Sequence, residues 1–231
     1  MLLRRSAGWD VVDKISLRQF REAQGVEDWR ILSEGAFAFF PAGSFAHGAL
    51  LVEAIAKIPD LDAHHPDVDL RHDGVTVKLL TVTNDYWGLS ERDVDLAREI
   101  SRLARELGFE ADPTVVQTLL VVPGALKTAD VMPFWEAVLG YQRRVDTPDE
   151  DLVDAGFRNA SFWFEQMDEP RRDGLGAIHI GVFVPFEVAQ ARVDAALAAG
   201  GRLVRDRSPA WWTLADPAGN EADIATTMGR D

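Results

Sequence analysis

Apolar positions in the first half of the chain follow two different periods, which together predict an alternation of helices and strands. Positions three or four residues apart predict helices within residues 16–25, 45–58 and 90–108. Alternation of apolar and polar positions predicts two hairpins, within residues 29–40 and 68–79. The predicted order is therefore α-β-β-α-β-β-α, which describes a four-stranded antiparallel sheet with helices on one face.

The second half of the chain repeats one order of elements twice. It shows a strand, a helix and further strands over residues 115–165, and the same order again over residues 178–224. The helical pattern of the first half and its acidic cluster both end at Asp112-Pro113. We therefore expect two α+β domains, comprising residues 1–111 and 112–231.

Charge and cysteine content exclude several classes of function. The 231 residues carry a formal net charge of -14, so the surface should repel nucleic acid and anionic membranes. Cysteine is absent, which excludes disulfides, thiolate metal ligands and a thiol nucleophile. The chain shows no signal-peptide pattern and no apolar run of membrane-spanning length. We expect a cytoplasmic protein that acts on a small molecule, with neither nucleic acid nor membrane as its partner.

Two adjacent histidines are the first candidates for chemistry, because the whole chain has only five. His64 and His65 lie between a predicted helix and a predicted strand, so their rings should point in different directions. Histidine titrates near neutral pH and can both donate and accept a proton. Taken alone, the segment is also explained by a solvated His-His-Pro turn.

The segments around these histidines form a wider pattern. Its features are Trp29, Phe37, Phe39, the segment Asp60-x-x-x-His64-His65-Pro66 and the segment Gly88-Leu89-Ser90-Glu91-Arg92-Asp93. With these features, residues 16–108 resemble the pterin-4a-carbinolamine dehydratase family. The resemblance implies dehydration of a 4a-hydroxytetrahydropterin to a quinonoid dihydropterin, with histidines as acid and base and without a metal.

The resemblance also implies which residues take part. His64 and His65 take two of the three family histidine positions, and Asn84 stands at the third. An asparagine can hydrogen-bond a pterin but cannot carry a proton, so Asp85 or His72 would have to supply the missing base. The implied catalytic residues are Asp60, His64, His65, Asn84 and Asp85, and the implied substrate-binding residues are Trp29 and Trp87.

A second family pattern covers the C-terminal half. It consists of Phe134-Trp135-Glu136-Ala137-Val138-Leu139-Gly140-Tyr141, Ile178-His179-Ile180 and Leu214-Ala215-Asp216-Pro217-Ala218-Gly219-Asn220-Glu221. With these motifs, residues 115–227 resemble the glyoxalase/bleomycin-resistance/extradiol-dioxygenase superfamily. The resemblance implies two βαβββ modules that enclose one site.

In that superfamily each module supplies one ligand from its opening strand and one from its closing strand. The implied ligands are Gln117, Glu165, His179 and Glu221. Three oxygen ligands and one imidazole suit Zn²⁺, Ni²⁺, Mn²⁺ or Fe²⁺, which could support proton abstraction next to a carbonyl group. A metal-free binding cup is the alternative. Trp163, Trp211 and Trp212 are expected to line the cup, unless they belong to the core of the sheet.

Three hypotheses follow for the function. In the first, the protein is a pterin dehydratase with a fused glyoxalase-like domain of unknown substrate. The second places a metal-dependent lyase or isomerase, acting on a carbonyl compound, in the second domain, and the first domain then serves dimerisation or docking. The third is a non-enzymatic small-molecule binder. Both families commonly self-associate, so the resemblance also implies a homo-oligomer.

Overall fold

In the computed structural model, the chain divides into two compact units, residues 1–116 with 230–231 and residues 117–229. The structure describes residues 12–169, 178–215 and 221–230. No helix in those ranges has both the length and the apolar character needed to cross a membrane. The backbone N–H of Asp112 donates to the carbonyl of Phe39 at 2.9 Å, so the chain at the predicted boundary still packs with the first unit.

The N-terminal unit follows the predicted order of helices and long strands and adds three short strands. Its elements are β1 (Lys14–Ile15), α1 (Leu17–Glu22), β2 (Arg30–Leu32), β3 (Gly35–Pro41), α2 (Phe45–Ala56), a 3-10 helix (Leu61–Ala63), β4 (Asp67–Leu70), β5 (Gly74–Leu79), β6 (Thr81–Val82), β7 (Trp87–Ser90) and α3 (Glu91–Glu106). Strands β2, β3, β5 and β4 form the antiparallel sheet in that order, while β1, β7 and β6 form a second, small sheet. β1 and β6 have two residues each and β7 has four, too few to show a clear alternation, so the sequence pattern missed them.

The helices of this unit cover one face of the larger sheet. Val75, Val77 and Leu79 alternate along β5 and are completely buried. They belong to one apolar cluster with Leu51 of α2 and Ile100 of α3. This packing confirms the predicted α+β layering and explains why the alternation along β5 was visible in the sequence.

Side-chain caps define where two of these helices begin. The N–H of Gln19 donates to Ser16 Oγ at 3.1 Å, and the N–H of Ser16 donates to Gln19 Oε1 at 2.8 Å. At α3, the N–H of Ser90 donates to Asp93 Oδ2 at 2.7 Å. These bonds satisfy amide groups that a helix start leaves without a partner. The bond between the Ser90 N–H and Asp93 also places the Asp93 carboxylate beside β6 and β7.

The C-terminal unit contains the order β-α-strands twice. The first module has β8 (Thr118–Ala125), α4 (Thr128–Leu139), β9 (Gln142–Arg143), β10 (Asp151–Val153), β11 (Ser161–Trp163) and β12 (Glu165–Gln166). The second has β13 (Ile178–Phe183), α5 (Phe186–Ala198), β14 (Arg202–Arg207), β15 (Trp211–Ala215) and β16 (Glu221–Ala225). The opening strands β8 and β13 pair antiparallel, so the two modules share one sheet in the order β14-β15-β16-β13-β8-β11-β10-β9. This arrangement confirms the predicted pair of βαβββ modules.

Both helices of this unit pack on the same face of its sheet. Trp212, Leu214 and Ile224 form a buried cluster with Ala189 and Val193 of α5. Around α4, the apolar cluster contains Met132, Phe162 and Phe164. Because side chains alternate along a strand, the residues between these strand positions point to the other face. We call it the helix-free face, and it carries Val122, Trp163, Glu165, His179, Thr213, Glu221 and Asp223.

Candidate functional site

In the N-terminal unit, the structure joins one of the two adjacent histidines to a buried carboxylate. His64 follows the 3-10 helix, and its Nε2 lies 2.8 Å from Asp93 Oδ1. The side chain of His64 is 17% exposed and that of Asp93 is fully buried. The pair therefore connects a surface-accessible imidazole to the interior of the unit.

The other oxygen of Asp93 is held by its own set of donors. Asp93 Oδ2 accepts hydrogen bonds from the Thr81 hydroxyl at 2.6 Å, the Ser90 N–H at 2.7 Å and the Ser90 hydroxyl at 3.0 Å. A carboxyl group surrounded by donors acts as an acceptor, so His64 Nε2 carries the hydrogen toward Asp93. In the neutral imidazole, Nδ1 then carries the lone pair. Nδ1 has no hydrogen-bond partner in the described part of the chain.

The remaining predicted catalytic residues lie on the surface of the same unit. His65 is exposed and makes no hydrogen bond within the described ranges. Asn84 and Asp85 are exposed in the turn between β6 and β7, and Asp85 accepts a hydrogen bond from Thr83 at 2.8 Å. Asp60 is exposed and begins the 3-10 helix with a φ of 59°. None of these four side chains is hydrogen-bonded to the His64–Asp93 pair in the described residues.

The two tryptophans predicted to bind the substrate are interior residues. Trp29 is 4% exposed, and its indole N–H donates to Ser101 Oγ at 3.1 Å and to the carbonyl of Ala97 at 3.2 Å. Trp87 lies in β7 and is 7% exposed. The burial of Trp29 contradicts its predicted role in substrate binding. Its indole is hydrogen-bonded to α3 inside the core and presents no surface to a ligand.

A substitution at Trp29 distinguishes a role in the core from a role in substrate binding. We expect Trp29→Phe to lower the free energy of unfolding by about 1–2 kcal/mol, because it removes the buried indole donor of Ser101 and Ala97. Pterin binding by the folded fraction should not change. Urea unfolding and ligand titration of the same preparation check this, and a large loss of pterin affinity with unchanged stability would restore the substrate-binding assignment.

In the C-terminal unit, His179 is the centre of an acidic cluster on the helix-free face. His179 Nε2 lies 3.2 Å from Asp223 Oδ2, and Nδ1 lies 3.9 Å from Glu165 Oε2. Burial acts to lower the pKa of His179, but the hydrogen bond to Asp223 and the charges of Asp223, Glu165 and Glu221 outweigh it and raise the pKa above its ordinary value. The cluster therefore favours the protonated imidazole.

The structure contradicts the assignment of Gln117 to this cluster. In the β8–β13 pair, His179 lies opposite Val122, which is five residues from Gln117 and thus about 17 Å away along the strand. Gln117 precedes β8 and accepts a hydrogen bond from Arg192 of α5 at 3.3 Å, so it points to the helix-covered face. The sheet brings together only Glu165, His179 and Glu221 of the four predicted ligands, and it adds Asp223.

The remaining groups do not fit the four-ligand metal centre that the superfamily implies. Val122 occupies the position on β8 that faces His179, and an aliphatic side chain cannot bind a metal. His179 Nε2 is bonded to Asp223. Across the described ranges, no group of three or more His, Cys, Asp or Glu side chains is arranged to hold a metal ion.

The three tryptophans predicted to line the cup have different environments. Trp163 lies on the helix-free face and is 37% exposed. Trp211 is half-buried on the same face of β15. Trp212 is 6% exposed and packs against α5, which makes it a core residue and corrects its assignment. Residues 216–220 of the most specific motif lie outside the described residues.

Sequence reasoning missed the functional groups that complete both clusters. Asp93 enters the sequence pattern only as the last residue of the Gly88–Asp93 segment, because its contact with His64 spans 29 positions. Asp223 and Thr213 are paired directly across β15 and β16. The sequence did contain one signal for them. Thr213 is next to the core residue Trp212, and Asp223 is next to the core residue Ile224, so alternation along the strands places both polar side chains on the helix-free face.

Comparison with known proteins supports a fusion of two families. The family profile described as "Pterin 4 alpha carbinolamine dehydratase" matches residues 8–103, and the profile described as "Glyoxalase-like domain" matches residues 120–225. A protein of Nocardia farcinica is 38% identical over 82 residues, covering 36% of this chain and 84% of the relative. A protein of Aquifex aeolicus is 31% identical over 87 residues, covering 38% and 86%. Both carry the name pterin-4-alpha-carbinolamine dehydratase as a provisional assignment.

The chain therefore belongs to the pterin-4-alpha-carbinolamine dehydratase family through its N-terminal half, and residues 120–225 of its C-terminal half match the glyoxalase-like profile. This result confirms both resemblances noted in the sequence. Among solved structures, a glyoxalase/bleomycin resistance protein/dioxygenase superfamily member from Vibrio splendidus is 18% identical with a TM-score of 0.34, covering 48% of this chain and 99% of that protein.

Proposed function

We propose that the N-terminal unit dehydrates a 4a-hydroxytetrahydropterin to the quinonoid dihydropterin, without a metal, through His64 and His65. The observation that carries this proposal is the 2.8 Å hydrogen bond between His64 Nε2 and the fully buried Asp93. Membership of the dehydratase family supports the substrate class. The adjacent, exposed His65 supplies a second imidazole at the same loop.

The geometry suggests a division of roles between the two imidazoles. Asp93 holds His64 with the lone pair on Nδ1 and stabilises the positive charge that follows when Nδ1 accepts a proton from the pterin ring nitrogen. His65 donates a proton to the hydroxyl group that leaves C4a, so the departing group is water. One proton is accepted and one is donated, and the two histidines return to their starting states by exchange with solvent.

The test is the rate of loss of 4a-hydroxytetrahydropterin, followed by absorbance with the purified full-length protein. His64→Ala and His65→Ala should each lower kcat by about 10²–10⁴-fold, the range of general acid–base catalysis. Asp95→Ala is the control, because Asp95 is 77% exposed on α3, takes no part in the proposed site and should leave the rate unchanged. A wild-type rate equal to that of buffer, or full activity in both His64→Ala and His65→Ala, would contradict the proposal.

A second candidate places the activity of the protein in the glyoxalase-like unit and makes the N-terminal unit a non-catalytic module. The asparagine at position 84 favours it, because that position holds the third histidine of the dehydratase pattern. Under this candidate the wild-type protein does not accelerate dehydration, whereas Asn84→His would produce a measurable rate. Under the first proposal, the wild-type protein is active and Asn84→His raises its rate at most modestly.

A further inference from the structure

Four polar side chains form a row across the helix-free face of the C-terminal sheet. From one side to the other they are Glu165 of β12, His179 of β13, Asp223 of β16 and Thr213 of β15. His179 contacts Asp223 at 3.2 Å and approaches Glu165 at 3.9 Å. Thr213 pairs directly with Asp223 in the β15–β16 ladder. We call these four residues the polar row.

Three buried atoms of the polar row have no hydrogen-bond partner within the described part of the chain. They are His179 Nδ1, Asp223 Oδ1 and Thr213 Oγ1. His179 and Thr213 are more than nine-tenths buried, at 7% and 2% exposure. Buried polar atoms in folded proteins are almost always hydrogen-bonded, so three unpartnered atoms on one face indicate a place where an additional group binds.

The charges around the polar row indicate what kind of group this is. Glu165, Glu221 and Asp223 surround a single imidazole. By strand register the next cation on this face is Arg205, opposite Thr213, and it is exposed on the edge strand β14. Carboxylate oxygens only accept hydrogen bonds, so the ligand must donate several hydrogen bonds and should be positively charged.

We propose that the polar row binds an organic cation with several N–H donors, an amine or a guanidinium, separately from the dehydratase site. Asp223 accepts from His179 through Oδ2 and offers Oδ1 to the ligand. His179 holds Asp223 in place through Nε2 and directs Nδ1 toward Glu165, so it positions the carboxylates and does not accept from the ligand. The Thr213 hydroxyl contributes at the other end of the row. Glu165 is the most exposed member of the row, with 34% of its side chain accessible against 20% for Asp223.

Isothermal titration of the full-length protein with agmatine, which carries a guanidinium and an ammonium group, tests the proposal. We expect saturable binding of agmatine and none of succinate, which has a similar chain length and the opposite charge. The near-isosteric changes Asp223→Asn and Thr213→Val should each weaken agmatine binding at least tenfold. Gln117→Ala is the matched control, because Gln117 lies on the helix-covered face and should not affect binding.

Circular dichroism of each variant shows whether it folds, and His179→Gln replaces Asp223→Asn if that variant does not. No saturable binding of agmatine, or equal binding of succinate, overturns the proposal. So does agmatine binding that Asp223→Asn, Thr213→Val and His179→Gln all leave unchanged. Titration with Mn²⁺ provides a further test, since tight Mn²⁺ binding that Gln117→Ala abolishes would establish the four-ligand metal centre instead.

Discussion

Replacing Asp93 with alanine should destabilise the N-terminal unit by about 3–5 kcal/mol, because each buried donor that loses its acceptor costs about 1–3 kcal/mol. Asp93 is fully buried, and its carboxylate accepts from His64, Thr81 and the N–H of Ser90. Alanine would leave the buried N–H of Ser90 without its acceptor, and the Thr81 and Ser90 hydroxyls, which also bond each other at 2.8 Å, could not both donate within the network. Because domains are stable by only about 5–15 kcal/mol, the folded population should fall visibly.

Urea unfolding measures this effect, with Asp95→Ala as the matched control. Asp95 is two positions away in the same helix, but its side chain is 77% exposed and forms an ion pair with Arg98 at the surface. Its loss should change the free energy of unfolding by less than about 1 kcal/mol. Equal stability of the two variants would show that the buried network does not hold the unit together.

The isosteric variant Asp93→Asn tests the positioning role of Asp93 apart from stability. An amide can still accept from one donor, so the fold should survive better than in Asp93→Ala. However, an amide presents either its oxygen or its NH₂ to His64 and no longer stabilises a charged imidazole. We expect a lower kcat with little change in KM and a shifted pH profile of kcat, which a purely structural role would not produce.

Much of the fold could be predicted because its elements carry regular patterns. The alternation of Val75, Val77 and Leu79 marks one buried face of β5, and the Ser16–Gln19 pair marks the start of α1. The short strands β1, β6 and β7 carried no such pattern. β6 and β7 are defined by their pairing partners, and the chain reveals these only after it has folded.

Register explains why the metal ligands were predicted less well than the fold. The strand was expected to begin at residue 115, but β8 begins at Thr118, so Gln117 lies just outside it. In addition, Gln117 and Val121 are an even number of positions apart, so their side chains point to the same face of the sheet, and Val121 packs with the cluster around α4. A change of one position moves a side chain to the other face of a sheet, and composition alone cannot determine that choice.

The dehydratase site shows the complementary limit. The sequence indicated His64 and His65 as candidates because the chain has only five histidines and these two are adjacent. The buried partner of His64 was not visible, because Asp93 is also a good helix-capping residue and local spacing explains its presence completely. Only the structure shows that the same carboxylate caps α3 and holds His64.

Replacing Gly35 with alanine is the other substitution from which we expect a large effect. It should lower the free energy of unfolding by more than about 3 kcal/mol. Gly35 begins β3 with a φ of +124°, which side chains rarely adopt, and an added Cβ would lie 2.3 Å from the backbone oxygen of Leu79. That oxygen cannot move without disturbing the pairing of β3 with β5, which lies at the centre of the sheet.

Gly43→Ala is the matched control, because Gly43 has a φ of +66° and no atom within 4 Å of an added Cβ. Gly43→Ala should lower the free energy of unfolding only by the cost of holding an alanine in the left-handed conformation, about 1–2 kcal/mol. The difference between the two variants in urea unfolding therefore measures the contact with Leu79 together with the greater backbone strain of an alanine at a φ of +124°. Equal destabilisation would mean that β3 can shift relative to β5, in which case the sheet that supports the His64 loop is less rigid than its hydrogen bonding indicates.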